Sequence, residues 1–146
     1  MNPSQSRRRT RVAAALIIGL AAAWLAPASA AAEDADKPYT VDCGQEPCQT
    51  DKATYVGWRT YHAVCHVCHG PDGNGSSFAP NLAERLKQID KARFEQVVNE
   101  GFQGQMGIMP AFGQNPNVRN FVDELYAYLM ARSDGVLEPG RPDWSE

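Results

Sequence analysis

Apolar residues along this chain fall into four blocks, and only the last three are periodic. The first, Val12–Leu25, is an unbroken apolar stretch behind a basic run, Arg7–Arg11. In segment 53–64, Val56, Tyr61 and Val64 stand among polar residues, with Gly57 four positions before Tyr61. Segment 91–100 places Phe94, Val97 and Val98 on one helical face, with Asp90 as the expected N-cap and Gly101 as the stop. Segment 118–132 is the clearest, since Val118, Phe121, Val122, Leu125, Tyr126 and Leu129 keep helical spacing. Asn117 is its expected cap and Gly135 its stop. Between the helices run two Gly/Pro-rich loops, Gly70–Pro80 and Gly101–Pro116, and no period-two strand or internal repeat stands out. The pattern predicts an all-α domain of three or more helices joined by long ordered loops. Loops of that length need something to pack on.

The first block reads as a secretory signal peptide, because the basic run and the apolar stretch lead to a small-residue site, Ala28-Ser29-Ala30. Cleavage is expected after Ala30, with Ala32 the next choice. An uncleaved anchor competes, since Val12–Ala32 carries no charge, but Pro27 and the many alanines make it a weak spanning helix. Arg7-Arg8 suggests twin-arginine export, against which Thr10-Arg11 stands where such a signal turns apolar. Either route leads to an oxidising compartment, here the periplasm. The expected organisation is residues 1–30 as leader, 31–52 as a polar N-terminal arm, and 53–146 as the domain with its C-terminal tail.

Charge narrows the function. The chain has 146 residues with 14 Lys+Arg and 17 Asp+Glu, which suits one domain. A polytopic membrane protein and a large two-domain enzyme are excluded. Four arginines sit in the leader, so the remainder carries a net charge of −7, of which −5 lies in residues 33–51. A nucleic acid is a poor partner for such a surface. The acidic arm reads either as a solvated tail or as a docking element for a basic patch.

Cys65-His66-Val67-Cys68-His69 is C-x-x-C-H, the attachment signature for c-type haem. Two thiols one helical turn apart can add to the two vinyl groups of one porphyrin, and His69 then lies under the iron. A thioredoxin-like pair needs a βαβ context absent from this pattern, and a zinc site needs more ligands than His62 and His66 supply. The sixth ligand decides the chemistry. A Met fills the site and favours electron transfer, whereas an open position invites peroxide or gas chemistry. Met109-Pro110 is the preferred candidate, because Pro110 fixes the backbone just past the ligand. Met106 in the same loop is the second choice, and a bis-histidine site through His62 is crowded.

Cys65–His69 with Gly70-Pro71-Asp72-Gly73, Ala79-Pro80-Asn81-Leu82 and Met109-Pro110-Ala111-Phe112 resembles the class I cytochromes c over about residues 53–135. Within that class, Tyr61–Pro80 and the closing stretch Leu125–Gly135 are similar to methanol metabolism-related cytochromes. The resemblance implies the class I fold around one covalently attached haem c. It makes Cys65 and Cys68 the thioether residues, His69 and Met109 the axial ligands, and Pro80 the carbonyl that receives Nδ1–H of His69. Gly57 and Tyr61 are expected to meet Tyr126 and Leu129 where the first and last helices cross, while Trp58 finds no place in this scheme. The implied role is single-electron carriage, not catalysis, from a PQQ-dependent alcohol dehydrogenase to a downstream cytochrome c or terminal oxidase. No stable membrane insertion is expected after signal cleavage. The rivals are a haem peroxidase or gas-binding protein, and a membrane-tethered haem module of an oxidase complex. Cys43 and Cys48 remain, and in a tight loop of an exported chain they read as a disulfide, with a redox pair or free thiols as the alternatives.

Overall fold

A computed structural model describes residues 36–144. The expected leader and its cleavage site lie outside the described residues. Asp51 opens α1, Lys52–Thr60, by accepting the Thr54 amide at 2.8 Å. The helix does not stop at Thr60. It widens into a π turn, Tyr61–Cys65, and continues as α2, His66–His69, until Gly70 turns the chain at φ 73°. A 3-10 turn, Pro71–Gly73, then leads to α3, Leu82–Leu86, capped by Asn81. Asp90 caps α4, Lys91–Glu100, by accepting the Arg93 amide at 2.8 Å, and Gly101 ends it at φ 79°.

The last helical block is divided. Asn115, rather than Asn117, caps a short α5, Pro116–Arg119, where Pro116 needs no amide partner at a helix start. The chain breaks at Phe121 (φ −134°) and resumes as α6, Val122–Ser133. Gly57 lets α1 and α6 touch backbone to backbone: a Cβ there would run into the Glu124 carbonyl and come within 2.8 Å of Tyr128 Cβ. The aromatic partner of Tyr61 at this crossing is Tyr128, rings 5.5 Å apart, and not Tyr126. Tyr126, two residues earlier and so on a nearly opposite face of the helix, meets Phe94 of α4 at 5.3 Å. Leu129 shares the buried core with Tyr61, Leu86, Val98, Val118 and Leu125.

Short strands form where the sequence showed no alternation. In the expected arm, β1 (Val41–Asp42) pairs antiparallel with β2 (Gln49–Thr50), with Val41 opposite Thr50. Along the second Gly/Pro loop, β3 (Phe102–Gly104) and β4 (Gly107–Met109) make a hairpin with Phe102 opposite Met109. The last piece, β5 (Asp143–Trp144), runs parallel to β2. Cys43 and Cys48 form a disulfide between β1 and β2, and Cys48 is buried. Asp134, just past α6, accepts from Lys37 Nζ at 2.6 Å and from Tyr39 OH at 2.5 Å. From residue 37 onward the acidic segment is thus packed onto the domain.

Candidate haem-binding site

The end of the first long helix presents all three residues of the C-x-x-C-H motif. Cys65 and Cys68 are unpaired; Cys65 is half-buried and Cys68 exposed. Burial, and secondarily the neighbouring Cys68, pushes the Cys65 thiol up to about 12. His69 is 7% exposed, and its Nδ1 lies 3.0 Å from the Pro80 carbonyl. A carbonyl only accepts, so the proton sits on Nδ1 and a neutral ring keeps a bare lone pair on Nε2. Burial lowers the His69 pKa, opposed by the Pro80 bond, and so favours that neutral form. Two free thiols and an imidazole with Nε2 open match the donor set of haem c.

The loop after His69 is held from both long helices. Tyr61 OH, fully buried, donates to Gly70 O at 2.5 Å and accepts from the Gly73 amide at 2.9 Å. Tyr128 OH donates to Asp72 Oδ1 at 3.1 Å, and Arg132 Nε donates to Asp72 O at 3.2 Å. Asp72 itself is buried with φ 55°, a left-handed conformation that Asp tolerates better than most residues. Burial raises the pKa of both tyrosines, so they stay neutral donors at physiological pH. None of Asp72, Tyr128 or Arg132 was singled out for this task from sequence. The Asp72-Gly73 turn was the only local hint.

The two loop methionines differ. Met109, at the end of β4, is half-buried against the core, while Met106 at the hairpin turn is 52% exposed. His62 is engaged on its own helix and at the Asp72 turn. Its Nδ1–H donates to Trp58 O at 2.9 Å and its Nε2 lies 3.4 Å from Asp72 Oδ1. Trp58 stacks on Tyr55 at 5.7 Å with the Arg141 guanidinium 5.7 Å from its ring centre. Among the described residues no group of three or more His, Cys, Asp or Glu is placed to hold a metal ion. No described helix is long and apolar enough to cross a membrane.

The family model described as cytochrome c oxidase, cbb3-type, subunit III matches residues 53–129. The chain belongs to this family of c-type cytochromes. Cytochrome c-555 of Methylococcus capsulatus is 35% identical over 141 residues, covering 96% of this chain and 95% of the relative. Cytochrome c-553I of Paracoccus denitrificans is 46% identical over 96 residues, 63% of this chain; this chain spans only 42% of that longer protein. Among solved structures, the c-type cytochrome XoxG from Methylobacterium extorquens AM1 superposes with a TM-score of 0.64 at 43% identity. That match covers 67% of this cytochrome and 62% of XoxG. The helical fold with three main helices is accordingly the class I cytochrome c fold. With one C-x-x-C-H motif the chain is a monohaem c-type cytochrome, an electron carrier with covalent haem c.

Proposed function

We propose that this cytochrome carries single electrons in the periplasm from a PQQ-dependent alcohol dehydrogenase to a downstream cytochrome c or terminal oxidase. Cys65 and Cys68 would hold the haem through thioethers, His69 and Met109 would ligate its iron, and Pro80 would orient the imidazole. Bound there, the haem supplies one-electron Fe(III)/Fe(II) exchange. The observation that carries the site is the His69–Pro80 pair, which leaves Nε2 open beside two free thiols. Met109 suits the second axial position because it is packed against the core, where Met106 is largely in solvent. A soft thioether opposite imidazole raises the potential and closes the iron to exchange, as a carrier requires.

The donor rests on the resemblance of Tyr61–Pro80 to methanol metabolism-related cytochromes and on the likeness to XoxG. Stopped-flow mixing of the oxidised cytochrome with the alcohol-reduced quinoprotein dehydrogenase of the same cells tests it. Rapid haem reduction supports the donor; no reduction, with ascorbate still able to reduce the haem, removes it. The matching family's description names an oxidase subunit, which favours a tethered haem module as the second reading. Residues 1–30 act as a cleaved leader in the first reading and persist as an anchor in the second. N-terminal sequencing decides, with Ala31 the expected start.

A further inference from the structure

Among the described residues Asp72 is the one buried carboxylate, at 7% exposure. It lies three residues past His69, inside a loop that closes on the histidine, since Gly75 N–H donates to the His69 carbonyl at 2.7 Å. The charge there has little to offset it. Tyr128 OH, a neutral donor, reaches Oδ1 at 3.1 Å. Arg132 directs its N–H groups to two main-chain carbonyls, those of Asp72 and Leu137, rather than to the carboxylate. His62 Nε2 stands 3.4 Å from Oδ1, while its Nδ1–H is bonded to Trp58 O. The anion is felt nearby: burial first, and then the Asp72 charge, raises the Tyr128 pKa. Geometry alone does not call for an acid at this position. Asn adopts a left-handed φ of 55° as readily as Asp, and its Oδ1 would accept the same tyrosine bond. Only the charge distinguishes the two, and burying it is costly without a close counter-charge.

We propose that the buried Asp72 carboxylate is a determinant of the haem's reduction potential, lowering it by stabilising the oxidised iron. The proposal rests on the reading of His69 as an axial ligand. A ferric haem carries one more positive charge than a ferrous one, so a fixed anion in the histidine loop favours the oxidised state. In the protein interior that attraction is screened far less than at a surface. Met109 in its proposed place acts in the opposite sense, since a thioether favours the reduced state. Tyr128 moderates the anion by donating to it, and removing the hydroxyl strengthens the anion's effect. A merely structural role for Asp72 makes a different prediction, because weakening the Tyr128–Asp72 bond from either end would then move the potential in the same direction.

The experiment is a spectroelectrochemical titration of the holoprotein, which reads the ferrous-to-ferric ratio at a fixed applied potential for wild type, Asp72→Asn and Tyr128→Phe. Asp72→Asn is expected to raise the ratio at least about threefold. Tyr128→Phe keeps the ring's packing on Tyr61 and the charge of the carboxylate, and is expected to lower the ratio. The Asp72→Asn difference should persist when the Debye length is cut to about 3 Å, because a buried charge is screened little by added ions. A smaller rise in Asp72→Asn, a Tyr128→Phe ratio that does not fall, or a difference abolished by salt overturns the proposal. Should Asp72→Asn fail to take up haem, the sign of the Tyr128→Phe change alone decides. His69→Ala tests the reading underneath: an unchanged haem spectrum there removes the axial-ligand assignment itself, a failure distinct from any result on the potentials.

Discussion

Tyr61→Phe isolates the hydroxyl that holds the ligand loop. The ring is 0% exposed, and Phe keeps its volume and its packing on Tyr128. What disappears is one bond donated to Gly70 O at 2.5 Å and one accepted from Gly73 N–H at 2.9 Å. Both glycines are buried, so neither group recovers its partner in water. A buried polar group left unsatisfied costs about 1–3 kcal/mol, so the pair should cost about 2–6 kcal/mol. For a domain of this size that corresponds to a fall in Tm on the order of 10 °C. Thermal melts of the oxidised holoprotein, followed by far-ultraviolet circular dichroism, give the number. Tyr55→Phe is the control, because its hydroxyl meets Arg141 in an exposed bond and its loss should stay within about 0.5 kcal/mol. The Tyr61 pKa is raised by burial, so the loss should not vary with pH through the neutral range. A Tyr61→Phe melt as close to wild type as the control's would refute the reasoning.

Three further outcomes are expected. Met109→Ala should lower the reduction potential and open the iron to added cyanide, while Met106→Ala should do neither; spectroelectrochemistry that shows the reverse would transfer the axial role to Met106. Replacing Cys43 and Cys48 together by Ser should lower stability by about 2 kcal/mol, the value for a short closed loop, seen as a lower urea midpoint at unchanged slope. Burial raises the Asp134 pKa, but bonds from Lys37 and Tyr39 outweigh it and hold the group below its ordinary 3.8. A depressed folded pKa gives stability that is present above 3.8 and lost as pH falls through the folded value. The gap between wild type and Asp134→Asn in urea melts should therefore close in acid, and a gap that persists there would count against the linkage.

The residues legible in the sequence were those whose role is local. Asp90 and Gly101 mark the ends of α4 because capping is settled within a few residues. The C-x-x-C-H motif is likewise local, and Pro80 followed from the resemblance. The last helix was misjudged at its start because Asn115-Pro116 offers a competing one, which opens α5 and leaves Phe121 as the break. Five strands of two or three residues are too short for alternation to register. The sheet β1-β2-β5 depends on residues far apart in the chain, such as Gln49 against Asp143. Tyr126 and Tyr128 lie on nearly opposite faces of α6, each with apolar neighbours one turn away, and only the close approach at Gly57 selects between them. Asp72 and Arg132, 60 positions apart, meet only once α6 is docked.

The two sides of the site are built differently, and function gives a reason. The His69 side is tied by buried side-chain bonds from Tyr61 of the first helix and from Tyr128 and Arg132 of α6. Those two helices also make the tightest crossing in the described fold, so the imidazole inherits the stiffness of the core. The Met109 side hangs from the end of α4 by backbone bonds, Phe112 N–H to Val98 O at 2.9 Å and Gly113 N–H to Asn99 O at 3.1 Å. Its outer part is the hairpin β3–β4, whose Met106 and Ile108 lie in solvent. An electron carrier needs a ligand set that hardly moves between oxidation states, and a surface that can meet a partner and release it. A rigid histidine loop serves the first need. The hairpin beside Met109, tied to the domain mainly through backbone bonds, is the part of the site free to adjust.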